Sequence, residues 1–281
     1  MTIEVVPLSK HIGAEVRGID ISRPLEHAIR EQLYALWLKH LVLLFRGREL
    51  TQQQLIDATA NFGALAKSNR KAEYRPPGYA QLIDGIMLIS NIRENGVPIG
   101  NLPDGEIWFH HDMLHVEVPH KGTCLYAVEV PSSGGNTRFA NCYQAYETLP
   151  TELKSALESR RAYHSYALGE AKRGDGTGVA QVNTATHPVF RTHEETGRKA
   201  VYVNRLMTER VEDVGAAESR RLLEAVFAHS ENPDWSYEHR WQPHDLLVWD
   251  NRCSMHARTD FSPGERRLML RTTISGEARP A

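Results

Sequence analysis

The most restrictive feature of this 281-residue chain is where its strands fall. Tyr237 to Trp241, Asp245 to Trp249 and Arg267 to Ile274 all read as strands, with Pro243-His244-Asp245 and Pro263-Gly264 as turn punctuation. Helical patterns cluster earlier, at Leu25 to His40, after Thr51 and at Val214 to Ala228. A doubly wound sheet requires strands and helices in alternation, which is missing here. No internal repeat and no linker divides the chain. The expected fold is therefore one domain spanning residues 1–281, mainly β with added helices: a β-sandwich or jelly roll.

The first half supplies the helical additions. Residues 3 to 20 alternate apolar and polar around Gly13 and Gly18, as two short strands and a turn would. Pro24 opens a helix in which Ile29, Leu33, Leu36 and Trp37 recur at helical spacing, and Leu41 to Phe45 follows as a continuous apolar strand. Thr51 with Gln54 forms a capping box for a second helix. Between Ala64 and Glu106 the chain is loop-rich, with a basic group Lys67, Arg70, Lys71 and one strand at Gly85 to Asn91. Lys121 to Val130 is a strand, Pro131 to Thr137 a turn, and Arg138 to Ala140 another strand. Asn141 with Gln144 caps a helix ending near Leu149-Pro150, and Thr151 caps the next. Residues 168 to 186 read as loop, a lid or a plain surface loop with equal claim. Its glycines lack the GK[ST] that a phosphate loop needs, and Arg173-Gly174-Asp175 is taken as chance. Val189 to Asn204 reads as a hairpin turning at Glu195-Thr196-Gly197.

Charge narrows the partners. Lys and Arg total 33 against 35 Asp and Glu, scattered without a basic stripe, which points to a small molecule and away from nucleic acid or a membrane surface. Three widely spaced cysteines, Cys124, Cys142 and Cys253, suit free thiols in a reducing compartment. With no signal peptide or transmembrane run, the expected location is cytoplasmic.

The chemistry concentrates at Trp108-Phe109-His110-His111-Asp112-Met113-Leu114-His115. As a strand, it would place His110 and Asp112 on one face and His111 and Met113 on the other, giving an H-x-D pair. As a helix, it would place His111 and His115 at i and i+4, a variant of the zinc-protease pattern H-E-x-x-H. Nearby Pro103, Gly105 and Pro119, and alternating Val116 and Val118, favour the strand. Histidines satisfied by hydrogen bonds at a strand end would produce the same letters without a metal.

A third ligand is available further on. His256 follows Val248 to Arg252, beside a strand end, and would complete a two-histidine, one-carboxylate facial triad, which leaves half an octahedral iron open for an organic co-substrate and dioxygen. Arg267 and Arg271 share one face of a strand, an unusual pair for an apolar strand unless anions meet them. Taken alone, they would be salt-bridged arginines at a sheet edge.

The combination of H-x-D, then Trp249-Asp250-Asn251-Arg252 with a histidine soon after, then Arg266-Arg267 and Arg271, resembles the taurine dioxygenase and phenoxyacetate-herbicide dioxygenase family of iron(II)/2-oxoglutarate-dependent oxygenases. The resemblance runs nearly end to end, through Ile12 to Glu15, Gly18 to Asp20, Phe62-Gly63, Pro131 to Thr137, Ala145 to Glu147, His187 to Val189, Arg191 to His193, Gly197 to Lys199 and Tyr202 to Asn204. Each piece is short, but their order and spacing are specific.

It implies a double-stranded β-helix, or jelly roll, that assembles as a homo-oligomer. It implies His110, Asp112 and His256 as iron(II) ligands, and Thr137 and Arg267 as the pair holding the distal carboxylate of 2-oxoglutarate. Arg271 would clamp an anionic carboxylate or sulfonate on the primary substrate. Asn91 and Met113 are further pocket candidates, each equally readable as strand packing. The implied reaction consumes dioxygen, releases succinate and carbon dioxide, and hydroxylates the substrate, with fragmentation where the carbon bears a heteroatom. Asp112 argues against the halogenating branch, which lacks that carboxylate. Two departures stand out. The family more often reads W-H-[TS]-D, whereas Phe109 follows Trp108 and His111 takes the hydroxyl position. The substrate-contacting histidine of taurine dioxygenase appears as Ala66, followed by Lys67 and Ser68, which argues against taurine itself. His111 and His115 would orient the ligands or line the pocket. The competing classes are a zinc hydrolase using His111 and His115, and a non-catalytic jelly-roll binding protein.

Overall fold

A computed structural model describes residues 3–67, 77–101, 105–167 and 182–281. The sequence readings at Ser68, Arg70, Lys71, Pro103, the glycines of 169–178 and Arg173-Gly174-Asp175 lie outside the described residues.

Two sheets face each other. The larger has seven strands in the order Glu4–Pro7, Ala14–Arg17, Val42–Phe45, Leu246–Asp250, Gly122–Glu129, Leu268–Ile274 and Met87–Ser90. The smaller has four, ordered Ser236–His239, Thr137–Asn141, Ser254–Arg258 and Ile107–His110. Phe139 of the smaller sheet meets Trp249 of the larger edge to face, ring centres 5.4 Å apart. The jelly roll expected from the chain is present.

Val42 to Phe45 shows why its sequence is apolar throughout: all four residues are buried. Val42 and Leu44 enter the core between the sheets, while Leu43 and Phe45 join the layer under the helices His27–His40 and Gln52–Ala60. A strand covered on both faces has no polar side to alternate. The second helix carries its capping box, with Thr51 Oγ1 accepting from Gln54 N and Gln54 Oε1 accepting from Thr51 N.

Three local expectations are corrected. Thr151 is the first helical residue of Thr151–Leu157 rather than its cap, and Pro150 precedes it without a side-chain cap. The expected loop through residue 186 gives way at Val182–Pro188 to a strand paired along Arg161–Ala167, which also pairs with Thr208–Val211. Asn183 to His187 lacks an apolar stripe, so only its partner strand reveals it. His256 lies in the middle of the strand Ser254–Arg258, five buried residues, rather than beside a strand end.

Candidate active site

His110 closes its strand and stands in register with His256 on the neighbouring one, ring centres 4.1 Å apart. The strand expected to run past Asp112 stops at His110, and a turn follows in which Met113 takes φ 60°. That turn brings Asp112 back beside the two imidazoles. Its Oδ1 is 4.0 Å from His110 Nε2 and its Oδ2 4.0 Å from His256 Nε2. Two atoms sharing an ion at bond lengths of about 2.0–2.2 Å can lie no further apart than the two bonds combined, so both separations fall inside that outer limit, and an ion bound at neighbouring positions would draw the ligands to about 3 Å.

The protonation states suit it as well. His110 Nδ1 lies 2.8 Å from the Trp108 carbonyl, which only a donor can satisfy, so the Nε2 lone pair faces Asp112. Burial holds both His110 and His256 below the usual histidine range, in the neutral form that binds metals. Burial alone would raise the Asp112 carboxyl. Arg271 at 3.3 Å, the two imidazoles and the Thr123 hydroxyl at 2.6 Å outweigh it and hold the group well below the usual carboxylate range. Thr123 Oγ1 in turn accepts from Asn251 Nδ2 at 2.9 Å, and Asn251 Oδ1 accepts from Trp249 Nε1 at 2.9 Å. This chain of three hydrogen bonds fixes which way the carboxylate faces.

A second ligand-like cluster, His193, Asp250 and Cys253, is excluded by its own bonding. Arg252 donates to both oxygens of Asp250, at 2.8 and 2.7 Å, and His193 contacts one of them at 3.1 Å. Among the described residues, only His110, Asp112 and His256 keep three converging ligand atoms, all within 4.8 Å of one another, with a carboxylate that no guanidinium chelates: Arg271 approaches Oδ1 at 3.3 Å without the pair of hydrogen bonds that Arg252 makes to Asp250.

The helical zinc pair does not form. Residues 111–115 are turn rather than helix. His111 faces Asn204 and the Cys142 thiol, at 3.3 and 3.6 Å, and burial pushes it down to about 3. His115 packs instead against Tyr166, ring centres 5.3 Å apart.

The arginines occupy the same inward face. Pairing of Leu268–Ile274 with Gly122–Glu129 slips between Leu268 and Met269, but the extra residue falls on the partner strand, so Arg267, Met269 and Arg271 stay aligned. Arg267 is 2% exposed and donates from Nε to the Gly135 carbonyl at 3.2 Å. Burial, with the charge of Arg258 added, lowers it to about 9, and among the described residues no carboxylate offsets it. Asn91 holds the segment in place: its Oδ1 accepts from Arg267 N at 2.9 Å and its Nδ2 donates to Glu265 O at 2.8 Å. Thr137 is buried, in register with Arg258, and its Oγ1 accepts from Trp241 Nε1 at 3.0 Å, leaving its own proton to donate elsewhere.

The turn under Arg267 depends on glycine. Gly134 has φ 74°, and a Cβ there would sit 2.4 Å from the Asp260 carbonyl oxygen. Gly134→Ala is expected to cost at least about 1–3 kcal/mol, from the backbone conformation alone. Urea denaturation measures it, and an unshifted midpoint would show that the turn relaxes freely.

A jelly roll with a buried two-histidine, one-carboxylate cluster and two inward arginines defines a class of small-molecule oxygenase scaffold. The chain belongs to the taurine catabolism dioxygenase TauD, TfdA family, whose profile matches residues 4–273. It is 32% identical over 285 residues to pentalenolactone F synthase of Streptomyces arenae, covering 95% of this chain and 93% of that protein. It is 32% identical over 293 residues to the alpha-ketoglutarate-dependent 2,4-dichlorophenoxyacetate dioxygenase of Cupriavidus pinatubonensis, covering 99% of each. Among solved structures, a taurine dioxygenase from Burkholderia xenovorans superposes with a TM-score of 0.81 at 28% identity, over 99% of this chain and 92% of that one. AAD-2 in complex with Mn(II) and N-oxalylglycine superposes at 0.80 with 27% identity, over the whole of both chains. The protein is a 2-oxoglutarate-dependent non-haem iron dioxygenase that uses iron(II) and 2-oxoglutarate.

Sequence reasoning missed Thr123, Asn251 and Trp249 as supports of Asp112. Asn251 and Trp249 were visible within the conspicuous Trp-Asp-Asn-Arg run, but Thr123 carries no sequence signal.

Proposed function

We propose that His110, Asp112 and His256 hold the iron, that Thr137 and Arg267 hold the distal carboxylate of 2-oxoglutarate, and that Arg271 clamps a small anionic substrate. The observation carrying this reading is the convergence of three ligand atoms within 4.8 Å, with Arg271 a further 3.3 Å from Asp112. The metal supplies the dioxygen chemistry. The chain's own residues bind and orient: Thr123 aims the carboxylate, Arg267 and Thr137 anchor the co-substrate, and Arg271 sets the substrate beside the ligands. The products are succinate, carbon dioxide and a hydroxylated substrate, which falls apart where the new hydroxyl shares a carbon with a heteroatom. The substrate is a carboxylate, sulfonate or sulfate ester; relatives of this chain are named for 2,4-dichlorophenoxyacetate, phenoxypropionate and sulfate esters.

Asn91 contributes by fixing the Arg267 backbone, and Met113 by borders of the pocket next to Asp112. The protein works in the cytoplasm as a homo-oligomer. Its three buried free cysteines suit a reducing compartment, and among the described residues no helix is long and apolar enough to cross a membrane.

The test is succinate release by protein purified without oxygen, then given iron(II), 2-oxoglutarate and air, with and without a panel of small carboxylates, sulfonates and sulfate esters. One panel member should stimulate it. With that substrate, Arg271→Ala should raise the substrate KM about ten- to hundredfold, the value of a hydrogen bond to a charged group, and leave the 2-oxoglutarate KM unchanged. An unchanged substrate KM would remove the clamp.

A further inference from the structure

Beside Asp112, buried nitrogens gather without hydrogen-bond partners: Nδ1 and Nε2 of His115, Nδ1 of His120 and Nε of Arg271. Native interiors pair nearly all such groups, and an unpaired one is costly to keep. Other orphaned atoms, such as Trp37 Nε1 and Ser230 Oγ, lie elsewhere in the fold. Some histidines around this region are paired and others, His164 through Nε2 and His256 through Nδ1, are not. His187 Nε2 reaches the Val116 carbonyl at 2.9 Å, and His111 faces Asn204 and Cys142. His120 stands three residues before Thr123, which donates to Asp112, and the next residue, Lys121, donates its N–H to Ile274 O on the strand that carries Arg271, so the unpaired groups border one region. His115 is only 3% exposed, so water outside the protein does not satisfy it.

We infer that Arg271, His120 and His115 form a single substrate cradle, in which the guanidinium takes the anionic head and the imidazoles take a second hydrogen-bonding group. The substrate is then a short acid that also carries a hydroxyl, carbonyl or amide. This rests on the anion-clamp reading of Arg271 and goes beyond it in naming what the rest of the molecule must offer. Burial pushes His120 down to about 4 and lowers His115 as well, so both rings are neutral at pH 7. A neutral imidazole presents one N–H and one lone pair, the complement of a hydroxyl or amide. A plain alkyl acid of the same length would leave these nitrogens unpaired, and sites built to hydrogen-bond a substrate group discriminate strongly against analogues lacking it.

Calorimetry on protein loaded with Mn(II) and N-oxalylglycine, which binds without turnover, tests this directly. The probes are pentanoate and butanesulfonate, each against its terminally hydroxylated analogue. The hydroxylated member of at least one pair should bind about tenfold tighter or more. His115→Phe and His120→Phe should each shrink that preference, while the plain acid keeps its dependence on Arg271. His115→Gln retains a donor and an acceptor and should keep part of the preference, which also covers the case in which the Phe variant does not fold. Equal or tighter binding of both plain acids, or a preference that survives both Phe substitutions, overturns the inference and leaves the clamp standing. Affinities indifferent to Arg271→Ala, or no binding by any of the four acids, overturn the clamp and the inference together.

Discussion

Asp112→Ala is expected to abolish substrate hydroxylation. Disturbing groups that merely orient a metal ligand costs about 10–100-fold, so losing the only carboxylate of the proposed triad should exceed that range. Two imidazoles alone would hold the ion weakly, and iron retained after gel filtration should fall with activity. The same substitution strips Arg271 of a partner 3.3 Å away, leaving a guanidinium whose side chain is 14% exposed without its counter-charge. Breaking a buried pair on one side costs up to about 3–5 kcal/mol, and partial exposure trims that figure. Asp112→Asn separates the two effects, because the amide oxygen can still accept from Thr123 while the negative charge is gone. Product quantified by mass spectrometry, together with iron content, is the measurement. Near wild-type product from Asp112→Ala would remove Asp112 from the ligand set.

Arg267 should show the opposite pattern, a loss of function joined to a gain of stability. Its pocket depresses the guanidinium to about 9, so the folded state opposes the charged form. The sign follows directly: a base with a lowered folded value is a burden at every pH below that value, neutral pH included. Arg267→Met should therefore raise the melting temperature of protein free of 2-oxoglutarate, by about 2–4 °C for each kcal/mol relieved. In the proposed role of Arg267, the incoming carboxylate of 2-oxoglutarate makes the charge tolerable. Losing that charge-assisted hydrogen bond, worth about 1.5–3 kcal/mol, should raise the 2-oxoglutarate KM about ten- to hundredfold. Melting curves with and without 2-oxoglutarate would then show the ligand's stabilising effect largely lost. If only the primary substrate's KM moved, the roles of Arg267 and Arg271 would be exchanged.

The elements predicted best are those whose chemistry is local. Thr51 and Gln54 announce their helix because cap and partner stand three residues apart, and the capping box is present. Asn141 likewise accepts from Tyr143 N and Gln144 N at the start of Cys142–Thr148. The spacing of His110 and Asp112 was legible, although the geometry joining them was not the expected strand. A strand end and a turn place them together, with Met113 in a left-handed conformation that its residue type does not suggest. The strand Val182–Pro188 was illegible for a related reason: its side chains carry no apolar alternation, and its partner strand supplies its hydrogen bonds.

By itself the sequence determined the candidate ligand types, the arginine pair, the helix caps and the balance of strands that leads to a jelly roll. Each depends on residue chemistry or on spacings of a few residues. Only the tertiary structure decided which histidines meet Asp112, that Arg252 occupies Asp250 and so disqualifies the second cluster, and that His115 and His120 stand unpaired. It also decided that Asn251 supports the carboxylate through Thr123, 128 positions away. Contacts of that range depend on sheet register, and a slip of one residue would turn strand residues such as Thr123, His256 and Arg271 to the opposite face.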